Sequence, residues 1–266
     1  MPESLPEDWR DDKVVGHFLR YVVPIYLDLR HADRPPIQVI FTAFIFSVRD
    51  RWLLMTAGHC ITEIEQCRAD GYEIHECNLL DSLGSDAVHA EPVPLNYDSA
   101  KPTHLGTDPT YDYGMLVLPL NVRALLEANN VRPFTEAHWE DKLEQPDFHK
   151  LLGLPSERVL VAAENRRSVT AMFPAVEKLD GRPEDEGFPE TNAPMFYGRL
   201  KGDLLTKVQG MSGGPILAVK AADGKLHYRL VAMQVSAVRS KYISGMMMRP
   251  LGKLIQEKID RRDRAG

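Results

Sequence analysis

Ser212 lies in "VQGMSGGPI", Val208 to Ile216, with glycines at 210, 213 and 214 and Pro215 just behind. Glycine lacks Cβ, so it takes backbone angles closed to other residues and lets a ligand approach the main chain. A hydroxyl stripped of neighbouring side chains in this way is presented to something that must reach it. Serine alone is a weak nucleophile; it needs a base, and the base needs an orienting group. Of the nine histidines, His59 in "LLMTAGHC" follows an apolar strand and a small-residue turn, a setting that holds an imidazole at a strand end without crowding. Asp112 in "TYDYGMLVLPL" directly precedes another apolar strand, whereas Asp98 and Asp108 sit in polar loop sequence. Each assignment has a plain alternative: a turn serine, a core histidine and a strand-start aspartate.

Composition bounds the classes open to this chain. With 266 residues, 44% hydrophobic and 26% charged, it has an ordinary globular profile and room for one large or two small domains. A net charge of −6 leaves no electrostatic footprint for nucleic acid or an anionic membrane. The start, "MPESLPEDWRDDK", lacks the basic end and apolar core of a signal peptide, and the longest apolar run, Val39 to Val48, is too short to span a bilayer. A soluble, cytoplasmic protein is expected.

Cys60, Cys67 and Cys77 are too few and odd in number for a disulfide framework. A metal reading would draw on His59, Cys60, Cys67, His75 and Cys77, but their spacings are not those of a zinc ribbon or finger. No metal and no cofactor are expected.

The elements that must position these side chains read as short strands. Val22–Leu29, Ile37–Val48, Arg51–Ala57 and Tyr113–Leu120 are rich in β-branched and aromatic residues and bounded by turn residues. Further strands are expected at Arg158–Ala163, Arg167–Phe173, Met195–Leu200, Pro215–Val219 and Tyr228–Val238. "SVRDRW" reads as a tight connection, "NVRALLEANN" as a helical turn or two, and Glu177–Pro194 as a solvated loop. Leu251, Leu254, Ile255 and Ile259 share one helical face, so the chain should end in an amphipathic helix. Regularly spaced short strands favour barrels or sandwiches over alternating βα units.

"TAGHC", "DYGMLVL" and "GMSGGP", in that order, resemble the segments of the chymotrypsin/trypsin-like serine proteases. "LLGLPSE", Leu151 to Glu157, also looks like the opening of the second barrel in bacterial members. The resemblance runs from about Val22 to the C-terminal helix. It implies an all-β fold of two packed six-stranded antiparallel β-barrels with a C-terminal α-helix and a cleft between the barrels. The corresponding division is an N-terminal extension at 1–21, a first barrel at 22–130 with His59 and Asp112, and a second at 131–266 with Ser212.

By the same resemblance the chain is expected to be a serine endopeptidase working through an acyl-enzyme on a polypeptide substrate or partner protein. His59 is the base, Asp112 its orienting carboxylate, and the N–H groups of Gly210 and Ser212 the oxyanion hole. Ser236 in "QVSAV" falls where a hydroxyl supports the aspartate; a strand serine satisfied by backbone is an equal reading. Thr206 stands at the pocket floor, Ala237 and Val238 on the wall and Gly245 opposite. With no acid at 206 and a branched residue at 238, small or uncharged P1 residues are expected. Lys207 turned inward would instead attract an acidic one.

The departures carry expectations of their own. No cysteine precedes Cys60 to pair with it, and Met211 stands where an aspartate would receive a new N-terminus, so activation of the trypsinogen type is not expected despite "KVVGH" at Lys13–His17. "GMSGG" also fits the nucleophile elbow of α/β-hydrolases. That fold needs an acid and a histidine well after the serine, and only Asp223 and His227 follow closely. Two alternatives stand beside the general protease: a catalytically latent, protease-like binding module, and a selective intracellular effector protease acting on one partner.

Overall fold

The ladder is interrupted at Thr42–Ala43, between strands that belong to two different sheets, and that break shapes the N-terminal half. The structure is a computed structural model and describes residues 5–6, 11–81, 92–100, 103–104, 111–155, 159–161, 167–184, 187–202 and 208–265.

The chain begins with β1 (Leu5–Pro6) and α1 (Asp11–Leu19), followed by β2 (Ile25–Arg30), β3 (Ile37–Phe41), β4 (Phe44–Val48) and β5 (Arg51–Thr56). α2 (Gly58–Ala69), β6 (Glu73–Leu79), β7 (Val93–Pro94), β8 (Thr103–His104) and β9 (Gly114–Val117) complete the first set of sheets. α3 (Leu120–Ala128) and α4 (Glu136–Trp139) lead to β10 (Phe148–Leu151), β11 (Val159–Val161), β12 (Arg167–Val169), β13 (Ala175–Lys178) and β14 (Met195–Leu200). β15 (Pro215–Ala222), β16 (Lys225–Val238), β17 (Tyr242–Met247) and α5 (Met248–Ala265) finish the chain.

The run read as one strand over Ile37–Val48 is two strands in two sheets. β3 joins the order β3-β2-β6-β7, and β4 joins β4-β5-β9-β8. Thr42 turns the corner: its carbonyl leaves the ladder and accepts the Thr56 hydroxyl at 2.9 Å. The expected first six-stranded barrel is not closed among the described residues. Its outer strands β7 and β8 are two residues long and do not pair with each other among the described residues, so the first half reads as two four-stranded sheets sharing one apolar core.

The second half does close. The order β16-β15-β10-β13-β14-β17 returns to β16 through the β16–β17 pairing, giving a six-stranded antiparallel barrel, and β11–β12 stand apart as a ribbon. Tight turns fix its hairpins and one in the first half. Arg49–Asp50 and Asp223–Gly224 each place two consecutive residues at positive φ, the geometry that matches strand twist in two-residue hairpins, and Arg239–Ser240 do the same in the three-residue connection from Val238 to Tyr242. Asp223 therefore belongs to a turn and His227 faces Lys220 on the hairpin, which removes the basis of the α/β-hydrolase reading.

β6, β10, β13 and β17 fall outside the strands read from sequence. "FHKL" and "AVEK" mix charge with apolar residues because alternate positions face out of the barrel. α2 was also not anticipated; it buries Cys60, Ile61 and Ile64 on one face. α3 and α5 lie where helices were expected.

The described residues before Val22 pack against β16 and β4. Leu5 and Pro6 pair with Leu226 and Lys225 of β16. His17 Nε2 lies 3.1 Å from the Tyr228 hydroxyl, and Tyr21 Oη lies 2.9 Å from the same oxygen. The Tyr21 ring stacks on Phe134 at 4.2 Å between centroids. Phe134 in turn zips onto β4, accepting from Ser47 N–H and donating to the Ile45 carbonyl. One apolar core consequently runs from α1 through both sheets to β16 and α5, and a smaller one fills the closed barrel. No helix among the described residues is long and apolar enough to cross a membrane.

Candidate active site

β5 delivers His59. The strand is buried from Trp52 to Thr56, and α2 begins two residues later at Gly58, so His59 occupies the first turn of a helix anchored by a buried strand. Asp112 precedes β9, the neighbour of β5, with Thr56 opposite Gly114. The two turns thus emerge side by side. A side chain at position 58 would strike Asp112 Oδ1 at 2.8 Å and Tyr113 N at 2.9 Å, which is why this turn carries glycine.

Asp112 holds the histidine twice. Its Oδ1 accepts the His59 backbone N–H at 2.7 Å, and its Oδ2 lies 2.7 Å from Nδ1. The pair fixes Nδ1 as the protonated nitrogen and turns Nε2 away from the aspartate. The imidazole remains 47% exposed and Asp112 27% exposed, so a reactant can reach them. The hydrogen bond to Asp112, and then one to Cys60, push the His59 pKa up to about 10 against the opposing effect of burial. Of the competing carboxylates, Asp98 is committed to Arg68 at 3.0 Å on the outer face of α2, and Asp108 lies outside the described residues.

Ser212 sits in a turn between barrel and sheets. Gly210 and Gly213 have φ of +91° and +89°, a region that side chains rarely occupy. The turn is clamped from both sides. Gly213 N–H donates to the Gln234 carbonyl at 2.8 Å, and Gln234 N–H donates to the Gly214 carbonyl at 2.8 Å. On the opposite side a Cβ at Gly213 would collide with the Thr42 carbonyl and the Thr56 hydroxyl. Thr56 lies three residues before His59, so the serine turn packs directly on the strand end that carries the histidine.

Sequence reasoning missed Thr42. Its hydroxyl donates to the Gly210 carbonyl at 2.7 Å and accepts the Leu154 N–H at 3.0 Å. One side chain ties the strand corner to the serine loop and to the start of the closed barrel. The signal was a lone hydroxyl residue inside the apolar "VIFTAFIF".

Among the described residues no hydrogen bond joins His59 to Ser212, and none joins Ser236 to Asp112. The backbone N–H groups of Gly210 and Ser212 donate to no backbone carbonyl among those residues. Met211 is fully buried, and a Cβ at Gly153 would press on it at 3.1 Å.

The pocket residues fare unevenly. Thr206 and Lys207 lie outside the described residues. Ala237 is exposed and Val238 half-buried at the end of β16, opposite Ile243 and Tyr242. Gly245 is buried, and a Cβ there would meet Ile216 Cδ1 and the Met233 carbonyl at 2.9 Å, so its lack of a side chain has a packing reason. Cys60, Cys67 and Cys77 are free thiols, and burial pushes Cys77 up to about 12.

No family model and no curated relative matches the chain. Solved structures do. A scabies mite inactivated protease paralogue aligns at a TM-score of 0.56 with 13% identity, over 92% of this chain and 96% of that one. A thermostable serine protease from an extremophilic microorganism aligns at 0.45 with 11% identity, over 86% of this chain and 91% of that one. The protease Anisep from Arthrobacter nicotinovorans aligns at 0.45 with 14% identity, over 86% and 90%. The first of these likenesses supports a β-rich, protease-like fold; at such identity it is a likeness of fold alone.

Proposed function

We propose that the chain is a serine endopeptidase with Ser212 as nucleophile, His59 as general base and Asp112 as the carboxylate that orients it. The observation that carries this reading is the double grip of Asp112 on His59, at 2.7 Å to the backbone N–H and 2.7 Å to Nδ1. That grip leaves Nε2 as the nitrogen for proton transfer, and the serine turn packs against Thr56, three residues before His59 in the chain. Ser212 Oγ attacks a peptide carbonyl as its proton passes to Nε2, and the proton then goes to the leaving amine. The alkoxide that develops would be met by the N–H groups of Gly210 and Ser212, a contribution of about 10²–10³ in rate per donor in such sites. Small or uncharged P1 residues fit the branched Val238 at the strand end, and buried Met211 offers no partner for an inserted N-terminal ammonium.

A second reading is favoured by one observation. His59 has no hydrogen bond to Ser212 among the described residues, and a pKa near 10 keeps it charged at neutral pH, where it cannot accept a proton. The resting chain would then be latent, with substrate or a partner completing the site. The likeness to an inactivated protease paralogue is compatible with this.

Labelling of the full chain by a fluorophosphonate probe, compared with Ser212→Ala and followed by casein digestion, separates the readings. Labelling of Ser212 with casein cleavage supports a general peptidase, and labelling without cleavage supports a selective one. Absence of labelling from neutral pH up to pH about 10, where His59 is losing its proton, would leave the protein as a binding module.

A further inference from the structure

β2 and β6 do not pair in simple register. Leu27 faces Cys77 and Asp28 faces Glu76, but Leu29 faces Ile74, so His75 is an extra residue on β6. In a regular strand His75 and Glu76 would point to opposite faces. A bulge at this position re-aims the extra side chain and lets both turn toward one residue across the ladder. The outcome is a convergence: one donor atom each from Asp28, His75 and Glu76 lie within 4.8 Å of one another.

Asp28 is the unusual member. It is only 4% exposed. Its Oδ2 accepts Arg30 Nε at 3.0 Å and a terminal guanidinium nitrogen at 2.9 Å. Its Oδ1 is buried with no hydrogen-bond partner among the described residues. Leaving a buried carboxylate oxygen unsatisfied is costly, and such atoms in folded proteins call for an occupant. Arg30 holds the carboxylate by one oxygen and leaves the other free to bind. His75 and Glu76 are exposed, so their side chains can rotate toward an ion without disturbing the sheet.

We propose that Asp28, His75 and Glu76 form a site for a divalent first-row transition ion. One imidazole nitrogen with two carboxylate oxygens suits zinc or manganese, whereas calcium and magnesium are served by oxygen alone. Bond lengths of about 2.0–2.2 Å require the three donors to draw together from their present spacing, which the two exposed side chains permit. An ion there ties β2 to β6 across the bulge and keeps open positions for water. The site uses none of the residues assigned to peptide hydrolysis and stands or falls separately from that assignment.

Titration of the full-length protein with Co²⁺, followed by visible absorption, tests it. One ion per chain is expected, with d–d bands and no thiolate-to-metal charge-transfer band. His75→Ala should abolish this binding and Glu76→Gln should weaken it at least about tenfold, each with the unfolding temperature of the metal-free protein unchanged. A thiolate band would move the ion to Cys60, Cys67 or Cys77 and overturn the proposal. So would wild-type affinity in both variants, or no binding at millimolar Co²⁺.

Discussion

The Thr42 hydroxyl donates to the Gly210 carbonyl at 2.7 Å while accepting the Leu154 N–H at 3.0 Å, so one side chain fastens the serine loop to both halves of the molecule. Thr42→Val keeps the shape and removes both bonds. Leu154 is 1% exposed, so its N–H is left buried without an acceptor. A loss of about 1–3 kcal/mol in denaturant unfolding is expected. Fluorophosphonate labelling of Ser212 should slow as well, because the Gly210 carbonyl is no longer held. Equal stability and equal labelling would remove Thr42 from the site.

Gly213 is held at φ +89° with its missing side chain facing the Thr42 carbonyl and Thr56. Gly213→Ala should lower stability by about 1–3 kcal/mol from backbone strain alone, with the collision adding to it. A melting temperature like that of the parent would mean that this turn relaxes freely.

Under the peptidase reading, Ser212→Ala should end turnover with the fold intact. Asp112→Asn should cost about 10⁴ in kcat, because the imidazole loses its correct tautomer. Steady-state kinetics beside an unfolding curve reads both. An Asp112→Asn enzyme with undiminished kcat would leave the aspartate a merely structural partner.

His59 is raised from 6.5 to about 10 by its bond to Asp112 and then by Cys60. A raised histidine stabilises the fold fully below its unfolded pKa, and that contribution fades as pH rises from 6.5 through 10. Imidazole resonances in an NMR titration should stay in the protonated position through neutrality. In Asp112→Asn the midpoint should fall toward 6.5. A His59 midpoint near 6.5 in both proteins would show that Asp112 does not set its titration.

His17 and His149 are shifted the other way. Burial first, then Arg20 and Lys178 respectively, lower each to about 4. The unfolded chain binds these protons first, so stability should be complete above pH 6.5 and fall as pH drops toward 4. His17→Gln keeps a side chain able to bond Tyr228 while removing one titration, and its unfolding free energy should fall less steeply over this interval. An unchanged slope would place the acid sensitivity elsewhere.

The parts of this molecule governed by neighbours in sequence were legible before any coordinates. "VRDR" and the last amphipathic stretch each fold under short-range rules, and Arg49–Asp50 and α5 lie where those rules put them. The candidate histidine and aspartate could be named because small residues before His59 and an apolar strand after Asp112 are local marks. Long-range pairing decided the rest. Whether Ile37–Val48 continues straight or turns at Thr42 depends on Thr56 and Gly210, far along the chain. Closure of the second barrel depends on β17 returning to pair with β16, a contact between strands and not a local rule. The convergence of Asp28, His75 and Glu76 exists only through the register of two strands. Sequence states which groups are available; the ladder, whose partners are set by the packing of distant apolar faces, determines which of them meet.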